Sequence, residues 1–468
     1  MVFSSTAFLF AFLPFVLIVV YPLRRAWQNA ALLVLSILFY VWGAGADVRF
    51  IFTVALLSWI LALVQRRLPK PWSSVVLAFS VLLVISPLLT VKYVPPMKAL
   101  FDPTASAQVI LPLGISFFTF HAISYLVDVA RGQLPPEKRI DQYFLYLFMF
   151  PHQIAGPIVR YGEIRTEIKA RPRPRTNDVI YGLSRFSWGL AKKAVVADSC
   201  GTVAVAVWAD AGSGQPMNFT TAWIGAIAFT TQIYFDFSGY SDMAIGLARV
   251  FGFHFPENFA SPYRSASATE FWRRWHMTLS RWFRDYVYIP LGGNRHGVVR
   301  SYFALVITFA LTSLWHGATV PYLIWGGLWS AALMVERVTG LRKAERLYPV
   351  RRITAAIFIV FTWVAFRSPT MNDALGVWRG MVQLDFGWPT PSVMLTLTPL
   401  AIMSLAIGIL IFAVPSRSSQ RFFDHLVLAG QENALRRPRA LALGAVSLAL
   451  GVIFSMWTSF SPFLYFQF

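Results

Sequence analysis

The sequence predicts an all-α protein that crosses a membrane many times. Of its 468 residues, 56% are hydrophobic and 13% are charged, and the mean hydropathy is +0.56. The charged share is about half that of an ordinary soluble domain. Apolar segments long enough to cross a hydrocarbon core recur along the chain. Arginine and lysine concentrate in alternate connections between them, which is typical of a chain that keeps its positive loops on one membrane face.

The apolar segments themselves set the expected number of crossings. Because some are short or broken, we predict roughly ten to twelve membrane helices. The segments are 3–22, 29–46, 48–65, 73–91, 109–129, 178–207, 219–237, 301–317, 320–336, 353–368, 394–414 and 440–460. No positive charge precedes the first one and no small-residue cleavage site follows it, so we expect a retained helix. No internal repeat or linker divides the chain, which predicts one domain over 1–468.

The charge distribution predicts the orientation. There are 41 Lys and Arg against 21 Asp and Glu, an excess that reports topology in a membrane protein, so that no nucleic-acid partner is expected. An external N-terminus places most basic segments inside the cell, namely 24–25, 66–70, 131–139, 160–175, 264–300, 337–352 and 417–439. This threading requires residues 141–157 to enter and leave by the same face as a re-entrant segment enclosed by other helices.

Residues 269–286 have the pattern of an amphipathic helix lying in the cytoplasmic interface. Aromatic residues share one side of it, and the other side carries Arg273, Arg274, Arg281 and Arg284. His276 lies at the edge of the apolar side. Residue type alone leaves two interpretations of this histidine open, a buried structural one and a catalytic one.

Residues 301–336 are predicted to form a hairpin of two short apolar spans around His316. If the first span begins at Ser301 near the cytoplasmic face, His316 lies about 22 Å along it, below the outer surface. An ionisable residue at that depth is a candidate functional residue, and imidazole suits a general base. A helix-end histidine bonded to a carbonyl is the alternative. Three glycines nearby would allow close helix approach or a substrate path: Gly317, Gly326 and Gly327.

Residues 232–242 place acids and hydroxyls inside an apolar stretch. They include Tyr234, Asp236, Ser238, Tyr240 and Asp242. Acids within a membrane face a water-filled cavity or a partner, which predicts that this stretch lines an interior passage. A structural hydrogen-bond network is the competing interpretation, and both remain open.

Other chemistry finds little support in the sequence. The remaining histidines are weaker candidates: His121, His152, His254, His296 and His425. No pair has metal-ligand spacing with supporting acids, so no metal site is predicted. The Walker loop, the nucleophile elbow and the Rossmann glycine pattern are absent. The single cysteine, Cys200, excludes an internal disulfide.

Several motifs together resemble the membrane-bound O-acyltransferase family, and within it the membrane subunits of alginate O-acetyltransferase systems. They are Met1-Val-Phe-Ser-Ser, Tyr234-Phe-Asp-Phe-Ser-Gly-Tyr-Ser-Asp242, Glu270-Phe-Trp-Arg-Arg-Trp-His276, Arg284-Asp-Tyr-Val-Tyr-Ile-Pro-Leu-Gly-Gly-Asn294, Leu314-Trp-His316-Gly and Pro462-Phe-Leu-Tyr-Phe-Gln-Phe468. The similarity extends along nearly the whole chain and is most specific within 232–316.

The resemblance implies helices around a central tunnel, with residues 269–316 as the catalytic core. It places His316 in the tunnel as the base and His276 nearer the cytoplasmic mouth. Residues 232–242, Asn294 and Trp315 would lie beside the passage. It also implies an O-acetyltransferase of a bacterial inner membrane, with the N-terminus in the periplasm.

The reaction that the resemblance implies is passage of an acetyl group from a cytoplasmic thioester to an acceptor outside. The donor would be acetyl-CoA or an acyl carrier protein, attracted by Arg273, Arg274, Arg281 and Arg284, with no bound cofactor. The acceptor would be a periplasmic acetyltransferase partner or an alginate-like exopolysaccharide.

Two other functions compete with this one. A polysaccharide or small-molecule transporter predicts coupling acids or inverted repeats, and the sequence shows neither. A scaffold without chemistry leaves His316 unexplained.

Overall fold

Helices make up nearly all of the regular structure in the computed structural model, which describes residues 2–69, 72–101, 111–171, 173–341, 344–413 and 438–457. The first ten are α1 (Leu13–Val20), α2 (Arg25–Ala44), α3 (Val48–Arg67), α4 (Trp72–Phe101), α5 (Ile115–Ala130), α6 (Ile140–Phe148), α7 (Phe150–Gln153), α8 (Tyr161–Ala170), α9 (Thr176–Ala191) and α10 (Asp198–Gly212). The others are α11 (Phe219–Val250), α12 (Ala268–Arg274), α13 (Met277–Phe283), α14 (Val298–His316), α15 (Val320–Thr339), α16 (Tyr348–Arg367), α17 (Met371–Val382), α18 (Pro391–Thr396), α19 (Pro399–Ala413) and α20 (Pro438–Trp457). No β-strand occurs in these ranges, and the all-α prediction is confirmed.

Five helical segments of the described chain are long and apolar enough to cross a membrane. They are Arg25–Arg67, Trp72–Lys98, Thr176–Gly212, Val298–His316 and Tyr348–Arg367. The first contains both α2 and α3, in agreement with two of the predicted spans. Four shorter apolar helices accompany them: Phe8–Val20, Ile115–Ala130, Pro399–Ala413 and Leu441–Met456. A polytopic membrane protein is confirmed, and the number of crossings stays a prediction.

The segment predicted to be re-entrant consists of two short helices. Helix α6 has nine residues and is therefore about 13 Å long, too short to cross a hydrocarbon core. Helix α7 follows it directly, and all four of its residues are buried. Enclosure by other helices is what backbone of this kind requires at membrane depth. The face by which the segment enters stays a prediction.

Buried apolar side chains form two large clusters. The first combines α1 to α6 and α8 with the second half of α11. The second combines α10 and the first half of α11 with α12, α15, α16 and α17. Helix α11, with 32 residues, runs through both clusters. It also contains the predicted 232–242 stretch, which is continuous helix and does not interrupt it.

Helices α9 and α11 pack with their backbones in direct contact through glycine. A Cβ atom on Gly182 would lie 2.5 Å from the carbonyl oxygen of Gly246. Two turns away in the interface, a Cβ on Gly239 would lie 2.7 Å from the carbonyl oxygen of Gly189. Small residues permit this approach where lipid supplies no hydrophobic driving force between helices.

Ion pairs reinforce the same helix contact. The carboxylate of Asp242 accepts from Arg185 on α9 at 2.9 Å and from Lys192 at 2.7 Å, and Lys193 lies 3.4 Å from Asp236. Both lysines belong to a π-helical turn, Lys192–Ala197, between α9 and α10. Buried charges are tolerated when they are paired. The structural network considered for 232–242 is therefore present, whatever else this stretch does.

Candidate active site

His316 is the last residue of α14 and lies in an aromatic enclosure. The helix ends there because Gly317 leaves the helical conformation with a fully extended backbone. His316 is 5% exposed. Its ring centroid lies 4.4 Å from Trp315, 4.7 Å from Phe366 and 5.4 Å from Trp325, with Tyr322 at 6.1 Å. These surroundings are buried and aromatic, and in such surroundings polar interactions with a substrate are stronger than in solution.

Helix α4 holds the end of α14 in place. The ammonium group of Lys92 donates to the carbonyl oxygen of Trp315, and the hydroxyl of Tyr93 donates to the carbonyl oxygen of Leu314 at 2.6 Å. The last carbonyl groups of a helix have no partner within it, and cations are favoured beside them. Two adjacent residues of α4 therefore fix the backbone that carries His316.

The predicted amphipathic helix over 269–286 is wrong as a single element, because it breaks at His276. The chain forms α12 and α13 with His276 between them in a left-handed conformation, φ 39° and ψ 57°. This conformation is uncommon for a residue that is not glycine, and it turns the side chain inward. His276 is completely buried, and Trp275 and Leu279 are nearly so. This part of the segment therefore packs against protein and not against lipid.

Asn258 fixes the orientation of His276. Its Oδ1 atom lies 2.9 Å from Nδ1 of His276, 3.3 Å from the backbone nitrogen of Thr278 and 2.8 Å from Oγ1 of Thr278. Because the Thr278 N–H only donates, the Asn258 atom that it meets is the amide oxygen, and His276 Nδ1 carries the proton. The Asn258 amide nitrogen in turn donates to Ser241 on α11 at 3.1 Å. Burial lowers the pKa of His276 well below its usual range, so that the ring stays neutral at neutral pH.

The two predicted histidines lie in one neighbourhood. Ring contacts join them: Trp275, next to His276, lies 4.9 Å from Trp363, which lies 5.1 Å from Phe366, which lies 4.7 Å from His316. They lie where the two apolar clusters meet, since Trp315 and Leu279 belong to the first cluster and Trp275 and Trp325 to the second. One site thus contains His276, from the break within residues 269–286, and His316, from the end of α14.

Two neighbouring cavities lie beside this site. An open cleft with an empty volume of about 1190 Å³ carries three of the four predicted entrance arginines; it is lined by Pro256, Glu257, Thr269, Trp272, Arg273, Met277, Ser280, Arg281, Arg284 and Leu333. A largely apolar cavity of about 590 Å³ shares part of this wall and is lined by Trp272, Leu279, Ser280, Phe283, Arg284, Tyr288, Leu305, Thr308, Phe309, Thr312 and Leu333. Thr308 and Thr312 continue along the face of α14 that ends at His316, one helical turn beyond.

The arginines differ in how they are held. Arg281 pairs with Glu163 at 2.8 Å, and Arg284 pairs with Asp285 at 2.6 Å. Arg273 is exposed, and within the described chain it has no ion-pair partner. Arg274 is turned away from the cleft and pairs with Glu270 at 2.8 Å. The cleft therefore offers one unpaired guanidinium group and two that are already partly neutralised.

The other predicted tunnel residues are distributed around this site. Phe237, one residue after Asp236, packs edge-on against His276 with ring centroids 4.6 Å apart, and Tyr234 contacts Trp275 at 6.3 Å. Ser238 lies 3.5 Å from Lys192 in the ion-pair network, and Tyr240 stacks on Phe3 in the first cluster. Asn294 is exposed at the opposite end of α14 from His316, where it accepts from Tyr288 at 2.6 Å. The roles of all of them stay predictions.

Comparison with known proteins identifies the family. Residues 133–371 match the model of the membrane-bound O-acyltransferase family, and this stretch contains both histidines. The chain belongs to the membrane-bound O-acyltransferase family. It is 35% identical to a probable alginate O-acetylase AlgI of Pseudomonas fluorescens, over 100% of both chains. It is 32% identical to a peptidoglycan O-acetyltransferase of Helicobacter pylori, over 82% of this chain and 80% of that one.

A further relative transfers a different group, to judge by its name. A teichoic acid D-alanyltransferase of Bacillus subtilis is 29% identical over 54% of this chain and 65% of its own. As a family member, the protein is an O-acyltransferase embedded in a membrane by several helices. The transporter and scaffold interpretations are set aside by this result.

Two residues that contact the site of this O-acyltransferase were not predicted from the sequence. Asn258 lies in a loop with no periodic pattern, and no sequence signal points to it. Lys92 could have been found, because it is a lysine inside a long apolar helix, where an ionisable residue is a functional candidate. The described residues contain no group of three or more His, Cys, Asp or Glu arranged to hold a metal ion.

Proposed function

We propose that this O-acyltransferase passes an acetyl group from a thioester donor in the cytoplasm to an acceptor on the periplasmic side of a bacterial inner membrane, for O-acetylation of an alginate-like exopolysaccharide. The observation that carries the proposal is the position of His316. It lies one turn beyond an apolar cavity that shares part of its wall with an arginine-lined cleft.

The cleft and the cavity suit the two ends of a thioester donor. Phosphate groups of coenzyme A, or an acidic carrier protein, would be attracted by Arg273, Arg281 and Arg284. An uncharged arm would extend through the apolar cavity along α14. From Leu305 to His316 the helix rises about 16 Å, which is the length that such an arm has to cover. The cavity would thus deliver the thioester carbonyl to His316.

His316 would act as a general base. It would accept the proton of the acceptor hydroxyl while the hydroxyl oxygen attacks the thioester carbonyl carbon. A carbon–oxygen bond forms, the carbon–sulfur bond breaks, and the proton passes from His316 to the departing thiolate. Exclusion of water by Trp315, Trp325 and Phe366 would protect the thioester from hydrolysis. His276 would contribute a neutral ring of fixed orientation on the donor side.

The direction of transfer follows from the predicted orientation. The distribution of positive loops would put the arginine cleft on the cytoplasmic side and the end of α14 toward the outside. Names of the relatives support a polysaccharide as the final acceptor. The first acceptor is either that polymer or a periplasmic acetyltransferase partner, which would carry the group as an ester between the two.

Isotope labelling would test the donor group and the acceptor together. Cells that produce the polymer are supplied with isotopically labelled acetate, with and without this protein, and the polymer and periplasmic proteins are analysed by mass spectrometry. Protein-dependent label on the polymer is expected, and label on a periplasmic protein would identify a relay. If neither carries protein-dependent label, the proposed function is wrong.

A further inference from the structure

Lys92 places a buried positive charge beside the reacting group. It is 5% exposed within α4, and its ammonium group donates to the carbonyl oxygen of Trp315, the residue before His316. No carboxylate forms an ion pair with it in the part of the chain that the structure describes. The ring of Trp315 lies 4.4 Å from that of His316, centroid to centroid.

The end of α14 offsets part of the cost of burying this charge. Carbonyl groups at a helix C-terminus carry partial negative charge, and a cation beside them is stabilised. Tyr93 satisfies the neighbouring carbonyl of Leu314 at 2.6 Å, so that the ammonium group does not have to serve both. The helix end neutralises Lys92 only partly, and the remaining positive potential extends into the enclosure around His316.

The aromatic rings of the same enclosure attract positive charge, whereas Lys92 repels it. Trp325, Phe366 and Tyr322 surround His316 at 5.4, 4.7 and 6.1 Å. Aromatic faces attract ammonium groups, and cages of this kind bind quaternary or methylated amines. Without Lys92, the enclosure would therefore favour an acyl group that carries a positive charge, such as an aminoacyl group.

We propose that Lys92 is a specificity-determining residue that admits uncharged acyl groups to His316 and excludes aminoacyl groups. The proposal rests on the proposed function, because it assumes that a thioester carbonyl reaches His316. An α-ammonium group is attached one carbon from that carbonyl, which brings it within a few ångströms of the same enclosure. Repulsion between like charges in a protein interior is strong enough to change a rate ratio by roughly tenfold or more. One relative is named for D-alanyl transfer and others for acetyl transfer, so that members of the family are named for acyl groups of different charge.

Two thioesters with acyl groups of equal size but different charge separate the effect of the acyl group's charge from the effect of its shape. The full-length protein in proteoliposomes is supplied with propionyl-pantetheine or glycyl-pantetheine, which differ by a methyl group against an ammonium group, and with acetyl-pantetheine as reference. Initial rates of acyl transfer are measured for the wild type, Lys92→Met and Lys92→Arg. We expect the ratio of glycyl to propionyl transfer to rise about tenfold or more in Lys92→Met and to stay at the wild-type value in Lys92→Arg.

A purely structural role would lower both rates together and leave their ratio unchanged, and that result would overturn the proposal. If Lys92→Met does not insert stably, Lys92→Gln keeps a donor to Trp315 without the charge and is expected to show the same rise. The proposed function fails in a different way, namely if the wild type transfers no acetyl group from any thioester.

Discussion

Replacement of Asn258 should separate the stability of the site from its chemistry. In Asn258→Ala, three buried donors lose their acceptor: Nδ1 of His276 and the backbone nitrogen and hydroxyl of Thr278. A buried donor without a partner costs about 1–3 kcal/mol, and relaxation of the loop will recover part of the sum, so we expect a loss of about 2–4 kcal/mol. Asn258→Asp keeps the acceptor oxygen and adds a negative charge, so it should lose less stability.

The two variants should differ in their dependence on pH. A carboxylate beside His276 raises the pKa of the imidazole, because it favours the charged form. The protonated ring then accumulates as pH falls through that raised pKa. If neutral His276 is needed, the acidic limb of the activity profile moves to higher pH in Asn258→Asp. Asn258→Ala has no such charge, and its loss of activity should be similar at every pH.

The assay is the initial rate of acetyl transfer over a range of pH, divided by the amount of folded protein in the membrane. Asn29 provides the control, because it is also an asparagine with a hydrogen-bonded side chain, which donates to the carbonyl oxygen of Ile168 at 2.8 Å, but it belongs to α2, away from the site. Asn29→Ala and Asn29→Asp should change stability without moving the profile. An unchanged profile in a stable Asn258→Asp protein would refute the assignment of a neutral, oriented His276.

Three further predictions concern packing, the donor cleft and topology. Gly326→Ala should lower both stability and activity, because a Cβ atom there would overlap Oγ of Ser313 on α14 and lie 3.0 Å from the carbonyl oxygen of Phe309. Gly327→Ala is the control, since a Cβ atom there would have nothing within 4 Å, and it should change neither property. Thermal unfolding and acetyl-transfer assays measure the two effects. Arg273→Glu should raise the KM for a phosphate-bearing donor at least several-fold, with little effect on kcat, because an attractive charge in the cleft becomes repulsive. The dependence of this KM on salt concentration should also become weaker. An equal effect of Arg346→Glu, a residue outside the cleft, would show that only the net charge of the protein matters. In a protein without the buried Cys200, Gln215→Cys should react with an impermeant thiol reagent from outside and Ala170→Cys should not, and the reverse pattern would contradict the orientation.

The helices and the two histidines could be predicted from the sequence, and the reason is physical. A long apolar segment in a membrane has to be helical, because only a helix satisfies its own backbone hydrogen bonds. A histidine at the end of such a segment stands out because ionisable residues are rare there. The family motifs then supplied a reaction for His316. Segment 269–286 was predicted less well, since amphipathic periodicity does not reveal a left-handed residue at His276, whose conformation depends on burial and on contacts with a distant loop.

Contacts between distant segments could not be predicted. Asn258 and His276 are 18 residues apart, and Lys92 and Trp315 are 223 residues apart, so no local pattern connects them. The acids of 232–242 show the same limit: their sequence predicted buried polar interactions, but only the structure shows that Asp242 is paired with Arg185 and Lys192. The motif Pro462–Phe468 lies outside the described residues.

The most direct test of the central claim is acetyl transfer by the protein in proteoliposomes when His316 is replaced. His316→Gln retains a polar side chain of similar length, and His296→Gln changes an exposed histidine before α14. With labelled acetyl thioester on the side of the arginine cleft, we expect His316→Gln to insert and unfold like the wild type but to transfer acetyl at least about 10²-fold more slowly, as for loss of a general base. His296→Gln should match the wild type. Transfer by His316→Gln at a rate near that of the wild type would contradict the assignment of His316 as the base.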